Sequence, residues 1–422
     1  MQLVLSLAFC VTPKMRLGIH RSVIKNINNG FLDANLGPSA TRVAVNSDGS
    51  TVYTSCRHQV YQISVPNLDL NKSSSNSSDT TPPSAKPINL PDSQATPHPL
   101  HKHTSCVQSV ASQFLDDDNN NKSLLVSVDT QGHLLWSSST NDAANSSTSS
   151  SFSAAASKLG GQVTRQNIES VESGWSGVSL GPSQHAAIVQ HFDRTLSIAD
   201  LNSETNTYVG TTKLSGCPTD VGFCGSNTLV ATSESNAVVL YDIRQHSSNN
   251  IAGSCVPTPT NRQAPSHSIL RAVATPNVWP ANILTASDDR FVYTIEPRNW
   301  RVLRRWRTPL KYEPVRLLRS PSRDSLCYIA GLDNDIMCGD VGGTTQTGGD
   351  SNSGAGKKRK REFTQLQMMF STGFRGDGPW SGVTIRQDGQ GKDTNDILYA
   401  VSQSCGLYVV KGATGLLEVR EG

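Results

Sequence analysis

TDVGFCGSNTLVATSESNAVVLYDIR (Thr219 to Arg244) holds in one short stretch the pattern that decides the fold. An apolar strand is followed by a turn, a second strand ending in small residues, a tight polar turn, and an alternating strand. Working outward, the same order returns in six other places. The first unit is Arg42 to Val65 and the second runs from Val107 to Ser138. Trp175 to Leu201 is the third, and Thr219 to Arg244 is itself the fourth. Leu270 to Arg298, Val315 to Val341 and Trp380 to Gly412 complete the set. Each strand is short, β-branched and bounded by Gly, Asn, Asp or Ser, and no segment shows comparable 3.6-residue periodicity, so the pattern predicts an all-β chain.

The units begin near Val43, Val107, Val178, Val221, Val273, Val315 and Val383. The shorter steps between them, roughly 42 to 52 residues, fit one four-stranded propeller blade. The longer steps hold Ser-, Asn- and Thr-rich inserts at 67–103, 138–169 and 342–378. Such composition cannot offset the entropy of ordering, so these stretches are expected as low-complexity loop insertions. The domain reading is a leading segment 1–41, a single seven-bladed β-propeller over 42–412, and a tail 413–422. A propeller needs its circle sealed, and Gln2 to Val11 is a candidate strand to pair with the seventh unit.

The endings VVLYDIR (Val238 to Arg244), LSIADL (Leu196 to Leu201) and TASDDRFVYTIEP (Thr285 to Pro297) resemble the WD-repeat β-propeller family over about nine-tenths of the chain. The resemblance is divergent. The family's Gly-His dipeptide opens none of the units, and Tyr241-Asp242 comes nearest to Trp-Asp. The family's aspartate in the tight turn before the third strand is matched at Asp193, Asp289 and Asp335, and loosely at Asp129. In units one, four and seven the turn reads CRHQ, SESN and QSCG. Leu229 to Arg244 is also similar to the box by which some WD-repeat proteins dock on the damaged-DNA-binding adaptor of cullin-RING ubiquitin ligases. That resemblance implies adaptor contacts at Tyr241, Asp242 and Arg244, with Arg244 projecting from the blade.

Composition bounds the function classes. The chain has 422 residues, 36% hydrophobic and 17% charged, with net charge +3. That is too mild for a chain-wide field that would hold nucleic acid or an anionic membrane, so any such binding is local. No run of 18 apolar residues exists, which argues against a membrane-spanning helix. MQLVLSLAFCVTPKMR at the start is apolar but lacks a basic leading region, so secretion is a minor alternative to a β-strand there. Nine cysteines without a CxxC pair fit neither a zinc ribbon nor a paired disulfide framework.

Catalytic patterns are missing: no nucleophile elbow, no phosphate-cradling glycine loop, no HExxH. The expectation is therefore a non-enzyme with no cofactor. His98, His101, His103 and Cys106 have ligand-like side chains, but their spacing matches no recognised metal site. Two basic features remain. Lys357, Lys358, Arg359, Lys360 and Arg361 are consecutive cations in a Gly/Ser-rich stretch, the pattern of a nuclear-localisation signal. RNWRVLRRWR places Arg298, Trp300, Arg301, Arg304, Arg305, Trp306 and Arg307 together. Simple alternation puts Trp300, Val302, Arg304 and Trp306 on one face, an arrangement that could stack RNA bases or lie as an ordinary outer strand.

These features point to a nuclear or nucleolar protein-protein interaction scaffold whose partners bind the propeller rim or channel mouth. Three alternatives stay open: a ubiquitin-ligase substrate receptor, an RNA-binding ribosome-assembly factor, and a propeller hydrolase acting on a modified protein.

Overall fold

A computed structural model describes residues 17–27, 41–66, 87–117, 120–140, 160–163, 174–182, 184–201, 208–244, 251–255, 269–276, 281–342, 373–388 and 395–418. Apart from a 3-10 turn at Ala413–Glu418, the named elements are strands. They are β1 (Gly18–Lys25), β2 (Val43–Val45), β3 (Thr51–Cys56), β4 (Gln59–Ser64), β5 (Ile88–Asn89) and β6 (Ser93–Lys102). Next come β7 (Val107–Asp117), β8 (Asn120–Asp129), β9 (Leu134–Thr140) and β10 (Gly160–Val163). The third unit holds β11 (Ser176–Leu180), β12 (His185–Gln190), β13 (Thr195–Asp200) and β14 (Tyr208–Lys213). The fourth holds β15 (Pro218–Phe223), β16 (Thr228–Ser233), β17 (Val238–Asp242) and β18 (Ile251–Cys255). The fifth holds β19 (Leu270–Ala274), β20 (Ile283–Ser287), β21 (Phe291–Glu296) and β22 (Arg301–Arg307). Finally there are β23 (Pro314–Arg319), β24 (Leu326–Gly331), β25 (Asp335–Asp340), β26 (Phe374–Arg375), β27 (Trp380–Asp388), β28 (Asn395–Ser402) and β29 (Gly406–Lys411).

The sheets have a propeller-like arrangement, but they do not separate into seven. Units two to six are five separate four-stranded antiparallel sheets, each in chain order from the first strand outward. The rest form one nine-stranded sheet, ordered β2-β3-β4-β6-β1-β29-β28-β27 with β5 beside β1. The fusion has a local cause: β1 pairs antiparallel with β29 along six residues and touches β6 in parallel at Ile24 and Lys25. The strand that joins the seventh unit is thus Gly18–Lys25, while Gln2 to Val11 lies outside the described residues.

The second strands explain the choice of residue. In β12, β16, β20, β24 and β28 almost every position is buried, so both faces are covered and the strands read as continuous apolar runs. Small residues such as Ala187, Ala231, Ala286, Ala330 and Ala400 let neighbouring sheets approach closely. Each buried apolar cluster lies in a seam. Trp175 and Leu196 of unit three pack on Val221 and Leu229 of unit four, and Trp306 and Leu284 of unit five pack on Leu317 and Ile329 of unit six. Ile397 and Tyr399 of unit seven meet Val43 and Ile63 of unit one. A fully buried side chain of this size contributes roughly 1.5 to 3 kcal/mol. The first strands also touch in a closed series, β2 to β7, β11, β15, β19, β23, β27 and back to β2.

Three expected inserts contain the missing fourth strands. β6 lies within 67–103, β10 within 138–169 and β26 within 342–378, each paired to the third strand of its unit. These outer strands are short or carry prolines, as in SQATPHPLHK, so they lack the apolar signal of the inner ones.

Candidate interaction face

In each unit the first strand starts where the second one ends, so strand starts and second-to-third turns share one face of the ring. The turns repeat one geometry. Arg57, Arg194, Asn236, Arg290 and Cys405 hold φ between 53° and 64°, and Gly132 holds 78°. A backbone bond closes the turn in units two to five and seven, as in Asn236 N–H to the Ser233 carbonyl at 3.2 Å and Arg290 N–H to that of Ser287 at 2.9 Å. The left-handed residue lets two to four residues reverse the chain, which leaves the turn tips outside.

Three large apolar groups stand exposed here: Phe192 at 65%, Leu332 at 48% and Tyr312 at 47%. Phe192 is the turn tip between β12 and β13. Leu332 follows β24, and its N–H bonds the Glu313 carbonyl at 2.8 Å, which sets it beside Tyr312. Lys311 lies 5.1 Å over the Tyr312 ring, and Glu313 pairs with Arg271 of the neighbouring sheet at 3.0 Å. Tyr312 and Leu332 thus stand together beside Lys311 and the Arg271–Glu313 ion pair, and Phe192 stands apart from them on unit three.

Inward of these turns the first strands carry polar groups. Asp220 on β15 is buried and accepts the N–H of Val221 at 2.9 Å and of Val273 at 3.0 Å. Burial pushes its carboxyl above the ordinary range, against the pull of Arg316, whose Nη1 is 3.5 Å away. Arg42 donates to Gln108 Oε1 at 3.1 Å on the first-to-second seam. Burial likewise lowers the Arg319 guanidinium below its usual value. Asp220 and Arg42 thus bind within the ring, while the buried Arg319 Nε has no hydrogen-bond partner among the described residues.

The expected site residues distribute as follows. Asp193 and Asp289 do occupy the turn, and Asp289 accepts Phe291 N–H at 3.1 Å and the Tyr293 hydroxyl at 2.5 Å. Asp129 and Asp335 do not. Asp129 ends β8, aligned with Ser233 and Ser287, and accepts the N–H groups of Gln131 and His133 at 3.0 and 2.9 Å. Asp335 begins β25 and holds Arg375 through two bonds of 2.6 and 2.9 Å. Asp333 takes the turn position in that unit, and its carboxyl is raised by burial and by Asp335.

Tyr241 is buried among Leu229, Val221 and Leu196, so it is core and offers no surface. Arg244 is exposed, yet its guanidinium returns to Asp242 at 2.9 and 2.6 Å, so it bonds within its own turn rather than projecting free. On β22 the alternation breaks. A register shift between Thr294 and Ile295 makes Leu303 the extra residue, so Arg304 and Trp306 face one seam while Trp300 and Val302 pack on the other. Trp306 is buried with its Nε1 donating to Thr294 at 3.2 Å. Arg305 lies 3.6 Å over the Phe291 ring, and Arg298, Arg301 and Arg307 are exposed. Lys357, Lys358, Arg359, Lys360 and Arg361 lie outside the described residues.

His101 and His103 are buried, with His101 between Ser127 and Ser137 at 2.7 and 2.8 Å, and they form no metal-ligand group with Cys106. Sequence reasoning passed over a different trio, His191, Cys217 and Glu234, which the fold brings together. A scan against models of known protein families finds none that matches the chain, and curated proteins give no match either.

Proposed function

We propose that the chain is a seven-bladed propeller of the WD-repeat type that serves as a non-enzymatic, nuclear protein-interaction scaffold. The blade count is supported by the closed series of first strands and by apolar clusters that each draw on two consecutive units, so the nine-stranded sheet counts as blades one and seven joined at β1. The scaffold reading rests on one observation above all: Phe192, Tyr312 and Leu332 are exposed on the same turn face of a rigid ring. Apolar tips on well-anchored turns suit a protein partner. Nuclear residence rests on the basic run Lys357 to Arg361 alone.

The test compares tagged wild type with a Phe192→Ser, Tyr312→Ser, Leu332→Ser variant in quantitative affinity purification from nuclei. A defined partner set should be lost from the variant, whose melting temperature stays within about 2 °C because exposed positions contribute little. Equal recovery of every partner by both proteins would defeat the reading, as would an unmodified protein found outside the nucleus.

A further inference from the structure

On the same turn face, at the seam between units three and four, we propose that His191, Cys217 and Glu234 form a zinc(II) site with three protein ligands and one open position. His191 opens the turn after β12, Cys217 immediately precedes β15, and Glu234 follows β16. One potential ligand atom from each lies within 4.8 Å of the other two. In a tetrahedral zinc site with bonds of about 2.0 to 2.3 Å the ligand atoms are roughly 3.3 to 3.7 Å apart, so small side-chain adjustments suffice.

The geometry between His191 and Glu234 points to a shared third body. Nε2 lies 3.0 Å from Glu234 Oε1, yet this buried nitrogen makes no hydrogen bond, because the oxygen is not placed along its bonding direction. An ion pair optimised for itself would align donor and acceptor. Ligands converging on a cation instead approach each other while their lone pairs aim at a common point. The glutamate backbone is also anchored beside the cysteine, since its N–H bonds the Cys217 carbonyl at 2.9 Å.

The repeat supplies an internal control. The same backbone bond joins Cys106 to Thr130, Ile269 to Asp288, Glu313 to Leu332 and Pro379 to Gln403. None of those pairs sets a thiol beside a carboxylate. Blade architecture therefore dictates the backbone contact but not the ligand set at the third-to-fourth seam. Imidazole, thiolate and carboxylate together suit zinc rather than magnesium or calcium, which take oxygen ligands. Binding converts the Cys217 thiol to thiolate and releases its proton to solvent. The Glu234 side chain is 36% exposed, so an ion has access, and the fourth position is left to water or a partner's side chain.

The experiment uses the full chain, stripped with chelator and titrated with zinc or cobalt(II). One zinc per chain is expected, and the cobalt form should show thiolate-to-cobalt charge-transfer absorption. Cys217→Ser should abolish that absorption, while His191→Ala and Glu234→Gln, which remove direct ligands, should each weaken zinc binding by at least the roughly tenfold that loss of an outer-shell partner costs. Cys106→Ser should leave both readouts unchanged. Circular dichroism checks each variant for folding, and Glu234→Gln, which keeps the side-chain shape, carries the test where His191→Ala unfolds. A wild-type chain that takes up no zinc, or a Cys217→Ser chain that keeps the charge-transfer band, overturns the proposal.

Discussion

At the scale of single residues, the histidines at the first-to-second seam make stability depend on acid. His101 is buried between two serine hydroxyls, and burial, with His98 and His103 adding repulsion, holds its protonation well below the ordinary range. Burial also lowers His98 to about 4. In the unfolded chain an imidazole binds its proton near 6.5, so between that value and the folded one the unfolded state carries more protons. The contribution of these groups is therefore fully present above about pH 6.5 and is lost as pH falls toward 4. For His98 alone the span corresponds to about 3 kcal/mol. Denaturant midpoints measured from pH 7.5 to 4.5 should fall accordingly, and His98→Asn should flatten the slope. A wild-type curve that is level across this range would show that these imidazoles are solvated.

At the scale of elements, β22 shows where alternation as a guide stops. The basic-aromatic strand is recognisable as an outer strand from sequence, but the inserted Leu303 redirects everything after Val302. Trp306 is consequently core and Arg305 is a stacked surface group. Trp306→Ala should cost about 3 to 5 kcal/mol through the cavity it leaves. Arg305→Ala, which removes a partly exposed cation–π contact and a 3.5 Å ion pair with Asp289, should cost about 1 to 2 kcal/mol. Urea melts of both variants check the difference, and equal losses would contradict this account of the bulge. Inner strands were legible because burial on both faces demands unbroken apolar runs, as in LVATS and ILTAS. β6, β10 and β26 were not, since outer strands need no such run and loop-like composition hid them. Asp129 and Asp335 fell two residues either side of the true turn position, because an aspartate can cap the turn from the end of the preceding strand, as Asp129 does, or pair with a cation of the next strand, as Asp335 does with Arg375. The trio of His191, Cys217 and Glu234 left no linear signal, since only the packing of successive units brings it together.

At the scale of the whole molecule, ring closure depends on β1. This strand takes the fourth position beside β29, places Ile19 in the sixth-to-seventh seam and Ile24 in the seventh-to-first seam, and pins itself by Arg21 to Asp377 at 2.6 Å. Asp377 in turn accepts the Ser402 hydroxyl at 2.5 Å, and these bonds with Arg21 hold its carboxyl below the usual range against the effect of burial. Ser22 then ties β1 to the first unit through Pro91 and Ser93. The units are consecutive in chain, so every other seam joins neighbours in sequence, whereas the last must join distant residues such as Tyr399 and Gly49, 350 positions apart. A chain starting at Asn26 would expose the edge of β29 and leave two apolar clusters open, and unpaired edges recruit other strands. It should melt well below a chain starting at Leu17, which keeps β1, and light scattering should show oligomers at micromolar concentration. Adding a peptide of residues 17–27 in trans should restore the monomer by strand addition. A truncated protein that stays monomeric with an unchanged melting temperature would mean that the seam between the first and seventh units closes through its side chains alone, with β1 only lying upon it.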